Sequence, residues 1–228
     1  MLPSGVRFAL LPDARFVSLQ AEIAIDHETN LIARVAETCA GFHNAWVKVH
    51  GNKEERAEAL STCSAPVTEK TCDLPSLCRE AEWPFTERPD GRVAVVLDTP
   101  RDTAFAMLTQ CPGKGVRIAV ELMSAEVLAE PCQQALGLML LTIGGVVRMT
   151  RAVAEQNADR AIVRFEVNFG SPPTATELTH ALSALSVAVR LCRREMEVLQ
   201  QDERIAKEYL ALWQTRHGMQ MNCLIERN

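Results

Sequence analysis

Between Pro172-Pro173 and Trp213 the chain carries an apolar repeat that suits one long helix. Leu178, Leu182, Leu185, Val189, Cys192, Met196, Leu199, Ala206, Leu210 and Trp213 recur in alternating steps of four and three, with Glu203 the single break. At about 3.6 residues per turn that spacing draws one stripe along a helix. The paired prolines stop whatever precedes them, and Thr174 with Glu177 forms a capping box in which each side chain satisfies the other's free amide. A second row, Val187, Leu191, Val198, Ile205 and Leu212, widens the apolar face. Unbroken, Thr174 to Trp213 would rise about 60 Å. A 228-residue domain has a radius of gyration of only about 17 Å. Such a helix either bends near Gln200-Gln201-Asp202 or finds cover from another protein. The residues expected to meet that partner are Leu185, Val189, Met196, Leu199, Leu210 and Trp213.

The rest of the chain reads as hairpins and helices. Phe8 to Leu11, a turn at Pro12-Asp13-Ala14, and the near-alternating run Arg15 to Ile25 predict a hairpin with one wet face. Asp26 or Thr29 offers an N-cap to a helix striped by Ile32, Val35, Cys39, Phe42, Trp46 and Val49. From Gly51 to Gly91 the prolines at 66, 75, 84 and 89 break regular structure beyond a short charged helix at Lys53 to Leu60. This segment is expected to be an irregular insert. Arg92 to Asp98 reads as a buried strand.

Phe105 to Leu122 then repeats the opening: two apolar runs around Pro112-Gly113-Lys114-Gly115, a hairpin turn. A helix with Pro131 at its first position and reaching about Glu155 is apolar nearly all round, and its Gly144-Gly145 pair allows close packing. The strand Arg160 to Phe169 follows. Hairpin, helix, strand at a spacing near a hundred residues suggests an internal duplication, although any two half-buried hairpins look alike. The expected division is residues 1–98, a first hairpin-helix-strand unit with the insert 51–91, and residues 99–228, a second unit with the long C-terminal helix. The fold class is α+β, with antiparallel sheet and packed helices.

Composition narrows the function. Apolar residues make up 47 % and charged residues 23 %, with Gly and Pro at 11 each, which excludes collagen-like, low-complexity and disordered chains. The net charge of −5 and the mixed signs along the last helix give no basic stripe for nucleic acid. Met1 to Gly5 shows no signal-peptide pattern, and the longest apolar run, Ala135 to Val147, is too short to span a bilayer, which needs about 20 residues. The eight cysteines are too sparse for a disulfide scaffold, and Cys39, Cys111, Cys132, Cys192 and Cys223 sit singly in apolar segments. A cytoplasmic location with reduced thiols is expected, without membrane or nucleic-acid association.

Signatures of chemistry are few. Cys63, Cys72 and Cys78, with His43 and His50, lack the short C-x-x-C knuckle of zinc sites. No base or helix N-terminus flanks Cys63 or Cys78 to lower its pKa. Gly113-Lys114-Gly115 is followed by Val116-Arg117, where a phosphate-binding loop needs Lys-Ser or Lys-Thr. G-x-S-x-G, H-E-x-x-H and G-x-G-x-x-G are absent. Asp26-His27-Glu28 suits capping better than a metal. Glu22, Glu121 and Glu166, with Arg117 and Arg164 close by, are read as cross-strand ion pairs on a wet sheet face; a catalytic carboxylate pair asks more of the same residues. No cofactor is expected.

The hairpins Phe8–Ile25 and Phe105–Leu122, the apolar helix Pro131–Glu155, the strand Arg160–Phe169 and the capped helix from Thr174 together resemble the type III secretion chaperone and YbjN-like α+β family, in element order over Phe105 to Leu199. That resemblance implies a non-catalytic protein that dimerises through its helix and holds another polypeptide on sheet and helical surfaces. It transfers no site residues. The expected function is partner binding or chaperone-like holding, by a protein partner or by self-association through the C-terminal helix. The alternative is an enzyme or a small-ligand or metal binder working from the cysteine-bearing segment 63–78.

Overall fold

The computed structural model describes residues 6–10, 17–21, 39, 42–43, 47, 71–97, 103–111, 115–125, 128–157 and 160–217. Strands β1 (Val6–Leu10) and β2 (Val17–Ala21) pair antiparallel, Phe8 opposite Leu19, the hairpin expected from their near-alternation. Cys39, Phe42, His43 and Val47 are helical and Val47 is buried. The remainder of the helix expected over Ile32–Val49, the short helix at Lys53–Leu60, and Glu22, Asp26-His27-Glu28, His50, Cys63 and Cys223 lie outside the described residues.

The insert expected to be irregular is ordered over its described part. Helix α1 (Leu74–Glu80) starts at Asp73, whose carboxylate accepts from the Ser76 amide at 3.3 Å and the Ser76 hydroxyl at 2.5 Å. Pro75 falls in its first turn, where no amide is needed. Strand β3 (Phe85–Glu87) follows, and the turn through Pro89 to Gly91 returns the chain into β4 (Val93–Leu97). Here the prolines bound the elements instead of dissolving them.

The main sheet has six strands in the order β3-β4-β5-β6-β8-β7, antiparallel throughout. It adds β5 (Ala104–Cys111), β6 (Gly115–Ala125), β7 (Arg151–Asn157) and β8 (Arg160–Phe169). Because β4 pairs with β5, Val95 opposite Ala106, the sheet runs straight across the boundary expected at residues 98 and 99. The strand assigned to the first unit belongs to the second unit's sheet, and the described residues do not support a duplication.

One face of this sheet is the core. Val93, Val95, Leu97, Ala106, Leu108, Val116, Ile118, Val120, Phe165 and Val167 are buried on it. A bulge between Glu121 and Met123 shifts the alternation by one, so Met123 is buried and Leu122 is not.

Helix α2 (Glu130–Val146) joins β6 to β7. It is shorter than the sequence suggested. After Gly144-Gly145 the backbone is extended at Val147 (φ −91, ψ 122), and Met149 turns at φ 63. Arg151–Asn157 then pairs with β8 and is strand, whereas the apolar repeat had carried the helix to Glu155. The expected burial holds for Cys132, Ala135, Leu136, Leu138, Met139, Leu140 and Ile143, which are all inside, but not for Val146, which is exposed.

The long stripe forms two helices, α3 (Ala175–Gln201) and α4 (Glu203–His217). The capping box is present as read, Thr174 N–H donating to Glu177 Oε2 at 2.9 Å and Glu177 N–H to Thr174 Oγ1 at 3.2 Å. Asp202 supplies the break. It is extended at φ −129, ψ 103, and its Oδ1 accepts from the amides of Arg204 at 2.8 Å and Ile205 at 3.3 Å, an N-cap competing with helix continuation. Helix α3 lies on β5, β6 and β8 and touches α1; α2 meets α3, α4, β1 and β7. The feared overhang is thereby shortened: α4 turns onto α2 and α3, burying Ala206 and Leu210.

Gly115 shows how tightly β6 and β8 meet. Its φ is +77, and a Cβ there would lie 1.9 Å from the Phe169 carbonyl oxygen; Gly91, at φ +76, has nothing within 4 Å. Gly91→Ala should cost about 1 kcal/mol, the left-handed penalty alone. Gly115→Ala should cost roughly 3 kcal/mol or more, because backbone must also move. Urea denaturation of both variants measures the difference; equal losses would mean the close approach is absent.

Candidate partner-binding surfaces

The faces of α3 divide by burial. Leu178, Leu182, Leu185, Val189, Cys192, Met196 and Leu199 are buried against the sheet and neighbouring helices. Of the residues expected to meet a partner, the structure places Leu185, Val189, Met196, Leu199 and Leu210 in this chain's own core, and Trp213 is half-buried against it. The regular stripe was legible but marks the inner face. Each such side chain, once buried, contributes about 1.5–3 kcal/mol, so the sheet holds the stripe that a partner was expected to cover.

The second row remains outside. Val187, Leu191 and Val198 are 44 %, 49 % and 41 % exposed, and Leu212 on α4 is 64 % exposed. At about 100° per residue the first three fall within some 40° of one another, in line with Val187. Around them on the outer face stand Arg190, Arg194, Glu195 and Glu197, all exposed. Arg193 Nε approaches Glu197 Oε1 at 3.8 Å one turn on.

The sheet face away from α3 carries a second apolar spot. Val96 on β4 and Phe105 on β5 stand directly opposite one another, 38 % and 50 % exposed. Cross-strand apolar neighbours of this kind usually shelter each other, yet half of Phe105 is in water.

Toward β7 the same face is polar and closed. Glu166, fully buried, accepts from Arg151 Nε at 2.8 Å and Arg151 Nη2, from Arg164 Nε at 3.0 Å and from Asn168 Nδ2 at 3.2 Å. Arg164, Glu166 and Asn168 alternate along β8, so they share a face; Arg151 sits directly opposite Glu166 on β7. The cross-strand ion pairs expected on a wet face are not what forms: Glu166 is buried, Arg164 binds it from the same strand, and the cross-strand partner is Arg151. The helix expected to reach Glu155 hides Arg151, which only the pairing of β7 with β8 brings opposite Glu166. Arg117 lies opposite Asn168, and its buried Nε has no hydrogen-bond partner among the described residues. Glu121, opposite Arg164, is exposed. Burial pushes the Glu166 carboxyl up, but Arg151, Arg164 and Asn168 together outweigh it and hold the group below the usual carboxylate range.

Among the described residues of the cysteine-bearing segment, 71–78, two thiols are present, Cys72 and Cys78. Cys78 is fully buried, and burial, with Cys72 nearby, raises its thiol to about 11; burial first and Asp73 second raise Cys72. Thiols so shifted are protonated at neutral pH and are poor nucleophiles or ligands. Cys192 on α3 is pushed to about 12 by burial, while Cys39 is exposed. Among the described residues no three His, Cys, Asp or Glu side chains gather as metal ligands, and no helix is long and apolar enough to cross a membrane. No family model matches the chain, and no curated protein matches it.

The Glu166 cluster predicts a pH signature. Its folded pKa lies below the unfolded value of about 4.3, so its stabilisation is complete above that value and fades as pH falls through the folded pKa. Glu166→Gln should cost about 3 kcal/mol near pH 7, because a neutral amide no longer balances the charge of the two largely sheltered guanidinium groups it faces. The gap to wild type should shrink below about pH 4. Urea titrations from pH 7 to 3 check this, and a gap independent of pH would show that Glu166 is not ionised in the fold.

Proposed function

We propose that this chain is a non-catalytic, chaperone-like protein that holds another polypeptide on exposed apolar surface. The observation that carries the reading is the arrangement of its uncovered hydrophobic side chains. Isolated exposed apolar residues are ordinary, whereas grouped ones mark interaction surfaces. Here Val187, Leu191 and Val198 form a line on α3, and Val96 and Phe105 form a cross-strand pair on the sheet. The element order supports the same reading. The β5–β6 hairpin, the apolar helix α2, strand β8 and the capped helix α3 follow one another in the order on which the resemblance to type III secretion chaperones and YbjN-like proteins rests, with β7 inserted between α2 and β8. A cytoplasmic location belongs to this proposal.

Suppression of client aggregation tests it. At equimolar ratio the protein should at least halve the light scattering of reduced insulin, and Phe105→Asp and Leu212→Asp should each lose most of that effect. Both side chains are exposed, so their melting temperatures should stay within a few degrees of wild type. A monomer that leaves insulin aggregation unchanged would remove the proposal.

A further inference from the structure

On the sheet face away from α3, one cation stands without a counter-charge. Thr109 on β5, Arg117 on β6 and Asn168 on β8 are direct cross-strand neighbours, so their side chains form one row about 10 Å across. Arg117 is half-buried and its Nε is fully buried, yet among the described residues its side chain makes no hydrogen bond or ion pair. A guanidinium cannot shed its proton to escape that cost, and a buried donor left unmade is expensive. Glu166, one row along, is already held by Arg151, Arg164 and Asn168. Glu121 lies four residues along β6, about 13 Å away at the rise of a strand, opposite Arg164.

The same row holds an uncommitted acceptor and a second donor. Asn168 spends its Nδ2 on Glu166 at 3.2 Å, and its carbonyl oxygen, which can only accept, receives nothing from the described residues. Although directly opposite, Arg117 and Asn168 do not bond each other. On the other side of Arg117, Thr109 is engaged through its backbone carbonyl, which accepts from Cys111 Sγ at 3.9 Å, and its hydroxyl is open. The adjoining row, Met107, Ala119 and Glu166, has only a methyl at its centre, so the side chains of the two rows leave a dip beside Arg117.

A group that satisfies this row must offer negative oxygens to Arg117 and Thr109 and a proton to Asn168. Acetate and sulfate have no proton to give at neutral pH. A phosphate monoester, with a second pKa of about 6, has mostly lost its own. Inorganic phosphate keeps a hydroxyl in both of its neutral-pH forms. We infer that Thr109, Arg117 and Asn168 form a binding site for inorganic phosphate. The Arg117 guanidinium clasps two phosphate oxygens, the Thr109 hydroxyl donates to one of them, and the phosphate hydroxyl donates to Asn168 Oδ1. The site is independent of the apolar surfaces and of any holding of polypeptide. Built on one arginine at the edge of solvent, it should bind with Kd on the order of 1 mM.

Isothermal titration of the full chain with inorganic phosphate, at pH 7 and fixed ionic strength, tests the site. One phosphate per chain is expected, with sulfate, acetate and glycerol 3-phosphate each weaker by roughly tenfold or more. R117K keeps the charge but not the fork and should weaken phosphate by about tenfold; R117M should abolish binding. In Tris chloride without phosphate, R117M should melt no lower than wild type, because methionine keeps the apolar stem and removes the unpaired donor. T109E sets a carboxylate directly opposite Arg117; it should displace phosphate and also melt no lower than wild type. No heat of binding up to about 20 mM phosphate, sulfate or the ester binding as tightly as phosphate, or R117M binding like wild type would overturn the inference. So would R117M melting well below wild type without phosphate, since Arg117 would then already have its partner within the fold.

Discussion

The fold depends on how the inner face of α3 meets the main sheet. Ala181 and Ala188, one heptad apart and fully buried, let the helix axis approach the strands. Leu178, Leu182, Leu185, Val189 and Met196 then fill the space over Ile118, Phe165 and Leu108. Such interdigitation is where a domain gains most of its stability, since each buried large side chain contributes about 1.5–3 kcal/mol. Helices α1 and α2 lean on this contact. Disturbing α3 therefore disturbs everything above the sheet.

The opposite face of the sheet obeys different physics. There a single carboxylate, Glu166, gathers two guanidinium groups and an amide away from water. Isolated, the buried carboxylate would be costly; surrounded by donors, it stays charged and ties β7 to β8. One end of this face is thus fixed by electrostatics, while at the other end Phe105 and Val96 stand open. The two ends are separated along the strand order by β6, so the face presents apolar contact area beside a rigid polar anchor.

Much of this was legible in residues. Periodicity gave α3, with Thr174 and Glu177 marking its start, and alternation gave the β1–β2 and β5–β6 hairpins and strand β8. What could not be read was which row of α3 faces inward. Both rows are apolar, and the choice depends on the sheet, which is assembled from strands far apart in sequence. Regularity points to Leu185, Val189, Met196, Leu199, Leu210 and Trp213 as the partner surface, but the core claims the first five and half-buries the last. The helix read through Arg151 failed for a related reason. The residues after Gly144-Gly145 suit either period locally, and pairing with β8 decides between them. In the stretch from Leu74 to Leu97, Asp73 and Pro75 signal a helix start, but with Pro84 and Pro89 following the same residues read as an irregular insert.

One residue, Asp202, performs two duties: its amide ends α3 on the Val198 carbonyl, and its carboxylate opens α4. A joint of that length has no slack. Each residue added or removed would swing the following helix by about 100°, carrying Ala206 and Leu210 off their seat on α2. The spacing from Leu199 to Ala206 is accordingly a fixed ruler, and insertions in this region are tolerable only beyond Trp213, the last side chain of α4 described as packed against the core.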